Sequence, residues 1–244
     1  MDLSRISALI PTYNNCRTLQ SVVERTLQQL PAVLVVDDGS TDDTAAILRG
    51  FGERIRVHRH PQNQGKGAAL RHGFQILRSA GCDYAIAVDS DGQHFPEDIP
   101  RFLEKLSQQP GAMLLGSRDM IGVGAPGKSR FGLWFSNRAL RFLTGLRLDD
   151  SQTGFRAYPL EAISRLDLQG QRFDLELEVL VKLAWQGVPI LSVPIQVSYQ
   201  PEGGRVTHFR PVRDFMQISL QMARLARRRG KRGAAGGYRA AAGR

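Results

Sequence analysis

Short apolar runs alternate with longer stretches of helical spacing through the first half of this chain. Ile6–Ile10, Val33–Val36, Ile55–His58, Tyr84–Val88 and Ala112–Leu115 have the length and composition of strands. Between them, Cys16–Gln29, about Asp42–Phe51, Lys66–Ser79 and Pro96–Leu106 read as helices. Ser40 or Thr41 can cap the second of these, whose first-turn acids favour the helix dipole. Strands and helices alternating at this interval imply βαβ units. The predicted class is α/β, a mostly parallel sheet flanked by helices.

The second half is less regular. Met120–Ser129, rich in Gly with one Pro, reads as a mobile loop, and Phe131–Leu143 as an apolar helix. Leu148–Tyr158 brings the chain back, and Phe173–Trp185 forms another helix. In the strand-like Val188–Val197, Pro189 and Pro194 favour a sheet edge. Pro201–Arg205 reads as a second flexible loop, and a helix starts near Pro211. In that helix Phe215, Ile218, Met222 and Leu225 share one face, opposite Arg213, Arg224, Arg227 and Arg228. The expected organisation is a globular domain over residues 1–209, a basic amphipathic helix over 210–229 and a disordered tail over 230–244.

A length of 244 residues suits one α/β domain with a substantial core. The formal charge of +10 is unevenly placed. From Arg205 onward there are eleven Lys/Arg and one acid, Asp214, so the remaining 22 basic and 22 acidic residues cancel. A neutral body with a basic tail speaks against a nucleic-acid-binding domain, leaving tail-mediated RNA binding as the non-enzymatic alternative. The basic helix fits either a stripe packed on the core or a helix drawn to anionic lipid, about 1 kcal/mol per basic residue near the surface. Cys16 and Cys82 make no metal-ligand spacing, and read as thiols in a reducing compartment. Met1–Ile10 lacks the pattern of a signal peptide, and no apolar run is long enough to span a bilayer. The expected location is cytoplasmic, peripheral at the inner membrane face, with a membrane protein as a candidate partner.

Candidate chemistry gathers where strands end. Asp89-Ser90-Asp91-Gly92-Gln93-His94 closes the run Tyr84–Val88, so two carboxylates project from a strand's carboxyl end. In open α/β sheets ligands bind at that edge. Mg²⁺ is usually held by one or two carboxylates plus substrate phosphates. Read alone, such a pair is more often a solvated acidic turn than a metal site. Three more polar clusters fall on the same edge: Pro11-Thr12-Tyr13-Asn14-Asn15, Asp37-Asp38-Gly39-Ser40 and Gly116-Ser117-Arg118.

This set, in this order, resembles the inverting nucleotide-sugar glycosyltransferases of family 2, with their GT-A fold, from about Ile6 to His208. Within the family it is similar to the branch that makes dolichyl-phosphate mannose and related polyprenyl-phosphate sugars. Asp150-Ser151-Gln152-Thr153-Gly154-Phe155-Arg156, Phe173-Asp174-Leu175-Glu176-Leu177-Glu178 and Val193-Pro194-Ile195 carry that likeness. The resemblance implies a GDP- or UDP-sugar donor, a mannose- or glucose-like sugar, a polyprenyl-phosphate acceptor and Mg²⁺ or Mn²⁺. It implies that Pro11, Thr12, Tyr13 and Asn15 line the base and ribose pocket and that Val36 and Asp38 contact the nucleoside. Asp89, Ser90 and Asp91 would hold the diphosphate and metal, with Gln93 completing the metal shell. Arg118 and Arg205 would contact the donor, and Arg130, Arg156 and His208, with Arg210 near by, the acceptor phosphate. The chain departs from the branch at Asn15, where Glu is common, at Gln200, where the branch carries Arg, and at Thr207-His208, near its Ser-Lys. Asn63-Gln64-Gly65-Lys66-Gly67 is not a Walker A loop; packing of a helix start is its expected role, with Lys66 as a lesser candidate for phosphate.

The acceptor decides the mechanism. A hydroxyl on a glycolipid or polysaccharide needs a general base, for which the resemblance implies Asp149 or Asp150, with Asp150 preferred; both read equally as structural turn acids. A polyprenyl phosphate is already anionic and needs positive charge instead. A single in-line displacement requires no covalent nucleophile. A nucleotidyltransferase would want a Gly-rich basic loop after the first strand, where this chain has Pro11-Thr12-Tyr13-Asn14.

Overall fold

The computed structural model describes residues 2–118, 127–197, Gln221, Arg224 and Leu225; within the helix that starts at Gly127, the side chains of residues 127–132, 134, 135 and 139 are outside that set. The strands are β1 (Ile6–Thr12), β2 (Val33–Asp37), β3 (Arg56–Arg59), β4 (Tyr84–Ala87), β5 (Met113–Arg118), β6 (Arg156–Pro159) and β7 (Ile190–Ile195). The helices are α1 (Cys16–Leu27), α2 (Thr44–Gly50), α3 (Lys66–Ser79), α4 (Ile99–Gln108), α5 (Gly127–Thr144), α6 (Leu160–Ser164) and α7 (Asp174–Trp185). The strands form one sheet in the order β3-β2-β1-β4-β6-β5-β7.

Burial on both faces explains the apolar runs. Along β1 and β2, Ala8, Ile10, Val33 and Val35 enter the cluster that holds Val22, Val23 and Phe102 of α1 and α4. Their neighbours Leu9, Leu34 and Val36 enter the opposite cluster, with Leu70 and Phe74 of α3 and Leu180 of α7. Successive side chains point to opposite faces, so a strand covered by helices on both sides must be apolar throughout. Each such side chain stabilises the fold by roughly 1.5–3 kcal/mol.

β1, β2, β3 and β4 run parallel, as do β5 and β7. β6 is antiparallel to both neighbours, with Tyr84 opposite Pro159 and Ala87 opposite Arg156. Leu148–Tyr158, expected only to return the chain, thus contains a strand inserted between β4 and β5. It enters from the carboxyl edge because the preceding turn is already anchored there, Asp150 pairing with Arg118 at the end of β5. Two reversals leave β5 parallel to β4, so the carboxyl ends of β1, β2, β4 and β5 share one edge. β7 is an edge strand, where the ladder tolerates Pro194.

Boundaries differ in small, explicable ways. Pro96–Asp98 forms a 3₁₀ turn before α4, a good use of a Pro that lacks an N–H. Gly127, Lys128 and Ser129, expected in a loop, already belong to α5. The rest of that loop, the 201–205 loop and most of the expected C-terminal helix and tail lie outside the described residues. Gln221, Arg224 and Leu225 are helical, with Leu225 buried in the α3–α7 core and Arg224 exposed. No described helix is long and apolar enough to cross a membrane.

α3 carries the link from sheet to site. Asp38, just past β2, accepts the backbone N–H groups of Gln64 and Gly65 at 2.9 and 2.7 Å, fixing the turn into the helix. Gly65 has φ +98°, a conformation that excludes most side chains, and Ala68 N–H donates to Gln171 O at 3.0 Å. A Cβ on Gly67 would lie 2.6 Å from Arg172 O and 2.6 Å from Gln171 C. Gly67→Ala should therefore destabilise the protein by about 1–3 kcal/mol in urea unfolding, although Ala is the better helix former. Gly50→Ala, in α2 with no atom within 4 Å of its Cβ, should be neutral or stabilising. Equal behaviour of the two variants would refute the close-approach argument.

Candidate active site

β4 ends at Ala87, and its extension delivers Asp89, Ser90 and Asp91 to the shared edge. The turn is held from α1: Thr18 Oγ1 donates to Ser90 O at 2.6 Å, and Asn15 Nδ2 to Ser90 Oγ at 2.8 Å. Gly92, with φ +73°, reverses the chain, and Gln93 N–H donates to Asp91 Oδ1 at 3.0 Å. Asp89, Asp91 and Gln93 carry side-chain oxygens at this turn, the donor type a hard divalent cation takes. Asp89 lies hard against Gly154, where an added Cβ would come 2.1 Å from Oδ2. Any side chain there would displace the carboxylate.

Lys66 is the counter-charge of this carboxylate. Its Nζ lies 2.7 Å from Asp89 Oδ1, 3.3 Å from Glu176 Oε1 and 5.6 Å from the centre of the Phe173 ring. Burial opposes both charges, yet the ion pair wins. Asp89 is held below the usual carboxylate range above all by Lys66, and Lys66 is raised by Asp89 and Glu176. Gly67 packs the helix start as expected, while Lys66 reaches into the site as the partner of two carboxylates. The role of Glu176 was not foreseen. α7 is buried from Leu175 to Ala184, so an acid on it signals a buried partner.

His94 is buried beside the same group, its Nδ1 3.9 Å from Asp89 Oδ2 and without a hydrogen-bond partner among the described residues. Burial, then the charges of Arg118 and Lys66, push its pKa down to about 4 against the opposing pull of Asp89. It is a neutral imidazole at physiological pH.

Arg118 and Asp150, expected in separate roles, pair with each other. Arg118 Nη2 donates to Asp150 Oδ1 at 2.9 Å and Nε donates to Oδ2, a bidentate contact. Gln152 N–H also donates to Asp150 Oδ1 at 3.0 Å, and the Asp150 side chain is fully buried. Asp149 is exposed, its carbonyl accepting from Asn137 at 2.9 Å.

The residues expected around the donor divide into two groups. Pro11 is paired in register with Val36, and both are buried. Thr12 Oγ1 and Asn15 Oδ1 are buried without a hydrogen-bond partner among the described residues, and Tyr13 is half-buried beside them. Such atoms are costly to leave unpaired and mark where a polar ligand would fit. Asp38 is engaged differently, both oxygens accepting from the 64–65 backbone and Oδ1 lying 2.7 Å from His60 Nδ1. Arg156 lies beneath the site, only 1% exposed. Its guanidinium donates to the carbonyls of Thr153, Glu176 and Ser151 at 2.6, 2.8 and 2.9 Å, which fixes the turn around Gly154. The side chain of Arg130, and Gln200, Arg205, Thr207, His208 and Arg210 entirely, are outside the described residues.

Two outcomes follow. With EDTA present, stability should fall as pH drops from about 6.5 to about 4. The unfolded chain takes the His94 proton at the ordinary value while the folded chain resists it, a loss of order 3 kcal/mol. His94→Gln should flatten that limb, and an unchanged limb would assign it elsewhere. Lys66→Gln leaves Asp89 and Glu176 without their cation, and should cost about 2 kcal/mol given their partial exposure. Mn²⁺ should raise the melting temperature of this variant more than that of the wild type; no difference would mean that Asp89 takes no metal.

Known proteins with this pattern point the same way. Residues 7–167 match the model of glycosyl transferase family 2. The undecaprenyl-phosphate mannosyltransferase of Micrococcus luteus is 30% identical over 202 residues, covering 78% of this chain and 82% of the relative. The polyprenol monophosphomannose synthase of Mycolicibacterium smegmatis is 31% identical over 216 residues, covering 82% and 79%. Among solved structures, glucosyl-3-phosphoglycerate synthase from Mycobacterium tuberculosis, in complex with Mn²⁺, UDP-glucose and phosphoglyceric acid, superposes with a TM-score of 0.64 at 20% identity, covering 92% of this chain and 79% of that one. The sheet order, the strand-end clusters and these matches agree: the chain belongs to glycosyl transferase family 2 and has the GT-A fold.

Proposed function

We propose that this glycosyltransferase moves a hexose, mannose or a glucose-like sugar, from a GDP- or UDP-sugar to a polyprenyl phosphate at the cytoplasmic membrane face, with inversion. The observation that carries the choice of acceptor is the closure of Asp150. A general base needs a lone pair within reach of the proton it removes. Asp150 is fully buried with both oxygens on Arg118, so it is a poor base and a good anchor for that guanidinium. An acceptor that arrives as an anion needs no base. The names of the relatives, acting on undecaprenyl phosphate and making a polyprenol monophosphomannose, support the same class.

In this reading an oxygen of the lipid phosphate attacks the anomeric carbon as the bond to the donor's β-phosphate oxygen breaks. The nucleoside diphosphate leaves with the bonding pair, and no proton need move. Asp89 and Asp91, with Gln93, would hold Mg²⁺ or Mn²⁺, which neutralises charge developing on the leaving diphosphate. Lys66 keeps Asp89 ionised, and Ser90 and Asn15 fix the turn that presents both carboxylates. Thr12, Tyr13 and Asn15 supply polar edges for the nucleoside, over a floor of Pro11 and Val36. Asp38 shapes that pocket by holding the 64–65 backbone. Arg205 would bind the donor diphosphate, and Arg130 and His208 the acceptor phosphate; Arg156 would act from below, as a fixed positive charge.

The basic C-terminal segment would dock at the membrane. Because Leu225 is buried in the core, that docking would rest on arginines such as Arg224 more than on the apolar stripe.

The test offers labelled GDP-mannose and UDP-glucose, with Mg²⁺ or Mn²⁺, to purified protein in micelles of polyprenyl phosphate or of the corresponding polyprenol. Label should enter only the phosphate-bearing lipid and vanish with EDTA. Asp91→Asn should lose at least about a hundredfold in kcat/KM. Transfer to a hydroxyl, or turnover indifferent to EDTA, would refute the reading.

A further inference from the structure

Three of the five histidines of this chain, His58, His60 and His72, converge outside the site just described. His58 is on β3 opposite Val36, His60 follows two residues later, and His72 is on α3, which covers that face of the sheet. One ring nitrogen from each lies within 4.8 Å of the other two. The rings meet edge to face, their centres 4.7 Å apart for His60 and His72, 5.4 Å for His58 and His60, and 5.8 Å for His58 and His72.

The tautomer is set from outside the cluster. Asp38 Oδ1 lies 2.7 Å from His60 Nδ1, so that nitrogen carries the proton and Nε2 is left with a lone pair. Nε2 points at His72 Nδ1, 2.6 Å away. A two-ring hydrogen-bonded relay would account for His60 and His72, but it gives no role to His58. A carboxylate behind one imidazole, with two more imidazoles converging on its free nitrogen, is the arrangement that orients ligands around a borderline transition ion. Burial, then the nearby His60 and His58, lowers the His72 pKa, which favours the neutral form that ligates.

We propose that His58, His60 and His72 form a binding site for one divalent ion of the Zn²⁺ class, with a fourth position open to solvent beside His58. Imidazole donors suit Zn²⁺, Cu²⁺ or Ni²⁺, whereas the carboxylates at Asp89 and Asp91 suit Mg²⁺ or Mn²⁺. Tetrahedral coordination with bonds near 2.0–2.1 Å needs donor nitrogens about 3.3 Å apart. His60 and His72 must therefore separate by about 0.7 Å from their present 2.6 Å. The ion would cross-link β3 to α3 and fix the 60–65 connection. Through Asp38 it would hold the turn that leads into Lys66.

The experiment titrates the metal-free full-length protein with Zn²⁺ in excess Mg²⁺, against a chromophoric chelator, and follows melting temperature in parallel. The wild type should bind one Zn²⁺ and melt higher when loaded. His58→Ala and His72→Gln should each weaken binding at least tenfold and lose the Zn²⁺-dependent rise. His58→Ala, a partly exposed position, should melt like the wild type without metal. Saturable binding unaffected by either substitution, binding abolished instead by Asp91→Asn, or no saturable binding below millimolar Zn²⁺ would each overturn the proposal.

Discussion

The active edge depends on a carboxylate that could not stay charged without help. Asp89 is pressed against the backbone at Gly154 and set among buried groups, where desolvation favours the protonated acid. Lys66 reverses that preference, and Glu176 holds Lys66 in turn. The three residues come from the ends of α3, β4 and α7, so one ion network fixes the positions of three elements. Local peculiarities follow from it: the Gly67 approach that admits the start of α3, the bare Gly154, and the acid on an otherwise apolar helix.

Such a network is poor evidence for stability, because burying charge costs as much as pairing it returns. Its value lies in geometry. An apolar triad of the same volume could pack as well, but would leave no charge at position 89 on the strand end. Arg118 with Asp150 repeats the principle on β5, and Arg156 gives a third version, a buried cation satisfied by carbonyls alone. All three converge on the turn from Asp150 to Arg156. The sheet beneath, apolar on both faces, supplies the stability that these polar contacts consume.

Much of this was legible in the sequence because it depends on short-range pattern. The apolar runs located six of the seven strands, Pro189 and Pro194 placed β7 at an edge, and α3 has the limits its spacing predicted. The strand-end position of Asp89 and Asp91 was readable too, since it needs only strand direction. β6 was not: four residues within a turn-rich stretch carry no period of their own, and only pairing with β4 and β5 makes them a strand. Side-chain partnerships were equally hidden. Nothing in the spacing of Arg118 and Asp150, 32 residues apart, distinguishes a donor-binding fork and a base from one closed ion pair. Arg156 was expected at an acceptor phosphate, and its burial against three carbonyls was not legible, because sequence does not tell which side of a turn an arginine faces. His58, His60 and His72 carry no spacing signal, since their cluster exists only once α3 packs on the sheet.

The closure of Asp150 connects architecture to reaction class. One fold can serve hydroxyl and phosphate acceptors if the donor half is kept and the acceptor half changed. Along the shared strand edge of this chain, strand ends and loops present carboxylates and buried polar atoms without a partner among the described residues. On the acceptor side the best-placed carboxylate is neutralised by Arg118 and sealed from solvent. A base so held would have to break two charge-assisted hydrogen bonds before taking a proton. An anionic acceptor would avoid that penalty, and the buried Arg156, held by carbonyls alone, would contribute positive charge from beneath. On the proposed reading the positive tail beyond Arg205 would act in the same direction, since a lipid phosphate is presented at a membrane surface that itself attracts basic residues.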